Sequence, residues 1–160
     1  YVSALKIPFG IYYNFVTSNE LIKEIESYQE KITFLKSTKL LRDLISFNVL
    51  QKISNNMTRK VAKKGDRLDC EKDYICLVES GVLDIMLSNE KLKSVKAGEF
   101  LGESCLFEEK PRPLHAMISE DAVYYSIPKD VLLKVPMIHW KLIEGSDKLL
   151  ALILAGQKAA

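Results

Sequence analysis

The most informative stretch of the sequence is AGEFLGESCLFEEKPRPLHA, residues 97–116. Gly102 has no side chain, so the backbone there can approach a ligand closely. A short helical turn after it would direct the amide groups of Ser104 and Cys105 toward a negative group. Arg112 adds a permanent positive charge with a planar fork of donors. The stretch therefore predicts a small anion-binding loop.

Glu103 needs a different partner, because a carboxylate repels a phosphate. It can accept hydrogen bonds from hydroxyl groups, such as those of a sugar. One carboxylate and one guanidinium in the same loop suit a ligand that has both a ribose and a phosphate. The alternative is purely structural, with a tight turn, a surface acid and an Arg112 that pairs with Glu108 or Glu109.

The loop resembles the phosphate-binding cassette of the cyclic nucleotide-binding domain family, of the cAMP receptor and protein kinase A regulatory-subunit type. The family pattern runs from Phe-Gly-Glu to an Arg followed by small residues, and LGESCL at 101–106 and Pro111-Arg112 match it without a gap. The resemblance covers residues 35–154. It implies cAMP as the ligand, with cGMP as the second choice, and a site made of Gly102, Glu103, Ser104, Cys105, Arg112 and Pro113.

One position departs from the family pattern. The residue after the arginine is usually Ala or Ser there, and its backbone N–H helps to hold the phosphate. Pro113 has no N–H, and Leu114 is larger than the usual residue. A hydrogen bond to a charged group contributes about 1.5–3 kcal/mol, so we expect an affinity lower by about one to two orders of magnitude.

Composition excludes several classes of protein. The chain is 48% hydrophobic and 28% charged, with a net charge of +2, which favours a globular domain and gives no reason to expect a nucleic-acid or membrane partner. Three cysteines without a C-x-x-C spacing indicate a reduced, cytoplasmic protein. His115 and His139 lie far apart, so neither a metal nor a cofactor is expected.

Short strands at regular spacing predict an antiparallel roll or sandwich. Together with the resemblance, this implies an α+β fold: an antiparallel β-roll, jelly-roll-like in the manner of a double-stranded β-helix, with flanking N-terminal and C-terminal helices. Three parts are expected. Residues 1–57 form an N-terminal strap and helices, residues 58–136 form the β-roll with its cassette, and residues 137–160 form the C-terminal helix.

Local signals give more detailed expectations. Residues 1–16 are predicted to form a strand or irregular strap whose aromatic side chains either pack on the core, which is the expectation, or contact a partner. Thr17 and Glu20 form a capping box for a helix that reaches residue 35, and further helices are predicted at 40–44 and 49–57. Turns are expected at residues 80–81 and 120–121. Gly145 is expected to bend or break the last helix, residues 136–155.

Three functions from different classes are compatible with this pattern. The first is a regulatory cAMP-sensing module that relays ligand binding to an attached or partner effector. The second is a degenerate domain that keeps the fold and acts in protein interaction or dimerisation without a ligand. The third is a transcription regulator, which needs a helix-turn-helix after residue 160.

The first of these functions is the prediction, and no enzyme is expected, because no nucleophile–base arrangement is apparent. In the family the C-terminal helix closes over the base or forms a dimer interface, so a homodimer through this helix is a further expectation. Since the sequence starts at Tyr1 and not at Met, we expect the chain to be part of a longer protein.

Overall fold

The structure is a computed structural model of the 160-residue chain and describes residues 4–43, 46–68, 73–106 and 114–159. Three helices precede a sheet of six described strands, and two helices follow it. In chain order the elements are α1 (Phe9–Ser18), α2 (Ile22–Ser37), α3 (Phe47–Asn56), β1 (Thr58–Ala62), β2 (Arg67–Leu68), β3 (Tyr74–Leu87), β4 (Glu90–Lys96), β5 (Phe100–Leu101), a 3-10 helix (Glu103–Leu106), β6 (Leu114–Pro128), α4 (Lys129–Leu133) and α5 (Pro136–Ala159).

All strand pairs in the sheet are antiparallel. The strand order is β1-β6-β3-β4, with β2 added to β6 and β5 added to β3. The predicted α+β class, an antiparallel roll with helices on both sides in sequence, is confirmed. The division into residues 1–57, 58–136 and 137–160 stays a prediction.

The sheet is built on two long strands, β3 and β6, each of which continues through a position where a turn was predicted. Their pairing shifts register repeatedly between Val78 and Leu83. At the centre of this irregular region Gly81 has φ 85°, and a β-carbon there would lie 2.3 Å from the carbonyl oxygen of Asp121. The predicted turns at 80–81 and 120–121 are therefore wrong. They are bulges facing each other, which bend a strand without reversing it.

The N-terminal segment is a helix, α1, and not the predicted strand or strap. Val16 is buried, but Phe9 is 77% exposed and Phe15 is 60% exposed. The prediction that these aromatic side chains pack into the core is wrong because Ile11, Tyr12 and Tyr13 are consecutive. Successive helical residues point about 100° apart, so a run of this kind cannot face one core.

The predicted capping box is also wrong. Thr17 lies in the last turn of α1, where its hydroxyl donates a hydrogen bond to the carbonyl oxygen of Tyr13, four residues earlier. Glu20 has φ 55° and turns the chain, and α2 begins at Ile22 with Leu21 in the capping position. Thr17 therefore closes one helix and does not open the next.

Residues 38–43 form a turn where the sequence predicted a helix at 40–44, of which residue 44 lies outside the described residues. The N–H groups of Leu41 and Arg42 both donate to the carbonyl oxygen of Thr38. The N–H of Lys39 donates instead to Gly98, at 2.8 Å. This bond ties the turn to the loop before β5.

α5 runs without interruption through Gly145, contrary to the predicted break. Its apolar residues enter both halves of the core, which explains why the helix stays continuous through the glycine. Ile138 and Leu142 pack with α2, α3 and α4, whereas Leu149 and Ile153 pack with the far end of the sheet. Among the described residues, no helix is long and apolar enough to cross a membrane.

Candidate functional site

The candidate site begins where β5 ends and the backbone turns sharply at Gly102. This residue has φ 114°, which is in the left-handed region that glycine favours. A β-carbon at Gly102 would lie 2.8 Å from the carbonyl oxygen of Tyr74 and 3.1 Å from the Cα of Ile75. The glycine therefore lets the chain cross β3 closely before it enters the 3-10 helix Glu103–Leu106. A short helical turn at this place was predicted and is present.

Glu103 is the most deeply buried carboxylate of the site, with 1% of its surface exposed. Its Oε1 accepts a hydrogen bond from the Nζ of Lys93, on β4, and the two groups form an ion pair. Its Oε2 is buried and has no hydrogen-bond partner among the described residues. A buried charge needs a partner of opposite sign, and Lys93 supplies it. The free oxygen remains available to a donor such as a ligand hydroxyl.

A cleft of about 520 Å³ opens beside this ion pair. It lies between β4, the segment that leads into the 3-10 helix, the turn at residues 38–43 and α5. At Gly145, α5 passes close to Phe100 and Glu103. A β-carbon at this position would lie 3.4 Å from the ring of Phe100 and 3.7 Å from the Cβ of Glu103. A helix residue without a side chain thus forms one wall next to the buried carboxylate.

The rim of the cleft carries ion pairs that are open to solvent. Lys39 binds Glu99, and Lys148 binds Glu144 at 2.7 Å. Burial tends to raise the pKa of Glu99, but hydrogen bonds from the Lys39 side chain and the Lys96 backbone outweigh it, so the pKa lies below its ordinary value. The hydrogen bond from Lys148 lowers the pKa of Glu144. All these carboxylates stay ionised near neutral pH.

Lys141 of α5 joins the helix to the turn at residues 38–43. Its Nζ donates to the carbonyl oxygens of Lys39 and Leu40, at 3.1 and 3.3 Å, and to Asp43 at 2.7 Å. The hydrogen bond from Lys141 lowers the pKa of Asp43. The same ammonium group therefore connects the C-terminal helix with the chain segment that follows α2.

The structure brings together only part of the predicted site. Glu103 lines the cleft, and its chain neighbours Gly102 and Ser104 are buried, with Ser104 3% exposed. The backbone of Cys105 belongs to the 3-10 helix. Arg112 and Pro113 lie outside the described residues, as do Glu108 and Glu109, so their roles stay predictions.

Lys93 is the residue of this site that sequence reasoning missed. It lies in the stretch KLKSVK at residues 91–96, among other lysines, and nothing in that composition distinguishes it. Strand alternation sets Lys93 on the same face as Val95, which is buried, and this was the signal that could have identified it. A lysine on the inward face of a strand needs an acidic partner.

No cluster of three His, Cys, Asp or Glu side chains that could hold a metal occurs in the part of the chain that the structure describes. The site therefore consists of a buried carboxylate with one free oxygen, a lysine beside it and a cleft with a charged rim. This arrangement can accept hydrogen bonds from hydroxyl groups while offering positive charge to an anion nearby.

The chain belongs to the cyclic nucleotide-binding domain family, whose sequence model matches residues 60–139. This confirms the resemblance inferred from the cassette. The chain is also similar to a cAMP-dependent protein kinase regulatory subunit of Eremothecium gossypii, with 29% identity over 80 residues, which are 48% of this chain and 18% of the relative. It is thus a domain of this family similar to the regulatory subunits of protein kinase A.

Solved structures with the same fold include two protein kinase A regulatory proteins. The regulatory domain of Toxoplasma gondii PKA, co-crystallised with cAMP, has a TM-score of 0.66 at 18% identity, covering 78% of this chain and 51% of that chain. The regulatory subunit of a cAMP-independent protein kinase A from Trypanosoma brucei also gives 0.66, at 14% identity, covering 77% and 47%. The chain thus spans about half the length of these proteins.

Proposed function

We propose that this chain is a regulatory module that binds a cyclic mononucleotide, with cAMP as the first candidate and cGMP as the second. Glu103 accepts a hydrogen bond from a ribose hydroxyl, and Arg112 holds the phosphate with help from the amides of Ser104 and Cys105. The module is not itself catalytic. It acts on an effector, attached or separate, inside the cytoplasm.

The observation that carries this proposal is the buried Oε2 of Glu103, which lacks a partner among the described residues. A buried acceptor without a partner costs about 1–3 kcal/mol. A ribose hydroxyl that donates to this oxygen would remove that penalty, and this would add to the affinity of the ligand. Family membership adds weight to a ribose ligand over another hydroxyl compound.

The relay to an effector rests on α5 and on the turn at residues 38–43. A ligand that enters the cleft must share it with α5 at Gly145 and with Lys141, which holds that turn. Binding would then change the equilibrium between two arrangements of the flanking helices, as a ligand does when it has different affinities for the two. Exposed apolar side chains of α5, such as Trp140 at 71%, support a partner or second copy on this helix.

The test is calorimetric titration with cAMP, cGMP and a cyclic dinucleotide, together with thermal unfolding. A ligand that binds only the folded state raises its stability with the logarithm of saturation. We expect cAMP binding that is lost in Arg112→Ala, weakened in Glu103→Ala and strengthened in Pro113→Ala, which restores a backbone donor.

Lys64→Ala is a matched control, since it removes an exposed cation from a turn outside the cleft. Binding that persists in Arg112→Ala would contradict the assignment of the phosphate. No response to any of the three ligands by a folded protein would leave the second function, an interaction module without ligand.

A further inference from the structure

We propose that Lys93 is a ligand-binding and specificity-determining residue of this site, and this rests on the proposed function. It holds Glu103 so that the free oxygen can meet a ribose hydroxyl, and its ammonium group also attracts the phosphate of the same ligand. The site thus has a second cation in addition to Arg112, provided by β4 and not by the cassette.

The burial of its carboxylate partner distinguishes Lys93 from Lys39, Lys141 and Lys148, the other lysines that line the cleft. Its partner Glu103 is 1% exposed, whereas its own side chain is 29% exposed and lines the cleft. The ammonium group therefore lies at the boundary between the buried carboxylate and the space that a ligand would occupy. Lys39 and Lys148 pair with carboxylates at the rim, where solvent weakens both interactions.

The ion pair of Lys93 and Glu103 leaves both a positive charge and a hydrogen-bond acceptor available to a ligand. Lys93 binds Oε1 of Glu103, so it does not block Oε2. An ammonium group has three donors, and one hydrogen bond to Glu103 leaves others for an anionic group. A lysine side chain is flexible and acts as a point charge, so it can adjust to a phosphate while it stays near its carboxylate.

A charged donor forms a stronger hydrogen bond with an anion than a neutral donor does. Because Lys93 lines the cleft beside Glu103, we expect the site to prefer a ribose ligand with a negative charge close to the sugar.

The experiment measures the Kd of cAMP for wild type, Lys93→Met and Lys93→Arg at about 20 mM and about 300 mM salt, because salt screens a partly exposed charge. Lys93→Met should raise the Kd at least about tenfold at low salt, and by a smaller factor at high salt. Lys93→Arg keeps the charge and should stay within about threefold of wild type. Lys96→Met, an exposed lysine on the same strand, is the matched control and should bind as wild type does.

The salt dependence distinguishes binding from a merely structural role. A lysine that only positions Glu103 would, when removed, weaken binding by the same factor at both salt concentrations. That result would overturn the proposal, and so would tighter binding in Lys93→Met, which would show that the lysine competes with the ligand. Absence of cAMP or cGMP binding by wild type would instead overturn the proposed function, and this inference with it.

Folding must be checked, since Lys93→Met leaves a buried carboxylate unpaired. If thermal unfolding shows that this variant is not folded, Glu103→Gln and the double variant Lys93→Met/Glu103→Gln provide the same comparison without an unpaired charge. The double variant should then bind cAMP more weakly than Glu103→Gln alone, and the difference should again shrink at high salt. An equal Kd for these two variants would overturn the proposal.

Discussion

The inner wall of the cleft and its rim contain the same kind of ion pair in very different surroundings. On the inner wall Lys93 pairs with Glu103, which is 1% exposed. On the rim Lys39 pairs with Glu99, with 64% and 29% of the two side chains exposed. Both pairs join a lysine to a glutamate, and the two glutamates are only four residues apart in the chain. The main difference between the pairs is therefore how deeply they are buried.

Burial decides what each pair does. In an exposed pair, each charged group can bind water in place of its partner, so the pair contributes little to stability. A buried carboxylate cannot do so, and removal of its lysine leaves a charge without compensation. The inner wall is therefore rigid and suited to position a ligand, whereas the rim can rearrange as a ligand enters.

The largest expected effect concerns the backbone of the inner wall. Gly102→Ala should destabilise the fold by about 2–5 kcal/mol, since a left-handed φ costs about 1–2 kcal/mol and crowding of a packed site about 1–3 kcal/mol. Gly65→Ala is the control, because Gly65 has φ 94° but no atom within 4 Å of a new β-carbon. Chemical denaturation should show a clearly smaller loss for Gly65→Ala. Equal losses would mean that the close approach to Tyr74 has no energetic weight.

The two ion pairs can be compared directly. Lys93→Met should destabilise the protein by about 2–4 kcal/mol, below the full cost of an unpaired buried charge because the lysine is partly exposed. Lys39→Met should cost less than about 1 kcal/mol, as for exposed pairs in general. Denaturation midpoints of the two variants, with Glu103→Gln added to Lys93→Met, provide the measurement. If the added substitution does not restore stability, Lys93 is not the counter-ion of Glu103.

A smaller effect is expected where α5 passes over the inner wall. Gly145→Ala should stabilise the protein by about 0.5–1 kcal/mol, because alanine favours a helix interior over glycine. The new methyl group would make ordinary contacts with Phe100 and the Cβ of Glu103, at 3.4 and 3.7 Å. Gly145→Leu, with a side chain too large for that space, should destabilise it. Destabilisation by both substitutions would show that α5 lies closer to the wall than these distances.

The smallest effect is a pH dependence at the rim. Because the pKa of Glu99 is lowered in the folded protein, its contribution is present above the ordinary value of 4.5 and is lost as the pH falls below it. Wild type should exceed Glu99→Gln in stability by less than about 1 kcal/mol at neutral pH, and the difference should be smaller at a pH below 4.5, as the carboxylate becomes protonated in the folded protein too. Denaturation at both pH values checks this. A difference that grows in acid would contradict the sign of the pKa shift.

Part of this fold and site could be predicted because the signals are local. The period of apolar residues predicted the end of α2 and both ends of α3 to within two residues, whereas the start of α2 was placed too early, at the cap assigned to Thr17. Errors arose where local signals have two meanings. Gly81 and the Glu120-Asp121 pair are typical of turns, but the same residues form bulges when two long strands continue past them.

The helix signals failed for a related reason. Thr17 is compatible with a helix start and with a hydroxyl bonded back to the preceding turn, and only the neighbouring chain decides between them. Likewise Gly145 lowers helix propensity, but packing of Leu142 and Leu149 on both halves of the core keeps α5 continuous. The stabilisation from these tertiary contacts exceeds the loss of about 1 kcal/mol that one glycine causes in a helix interior.

By itself, the sequence determined the family and the antiparallel roll, because these depend on residue types at short, defined spacing. Only the tertiary structure decided that Glu103 is buried, that Lys93 is its partner and that α5 covers both. Lys93 precedes Glu103 by ten residues, across the turn that leads from β4 to β5. Their contact depends on the register of β4 and on the backbone turn at Gly102, and both are set by packing and not by local propensity.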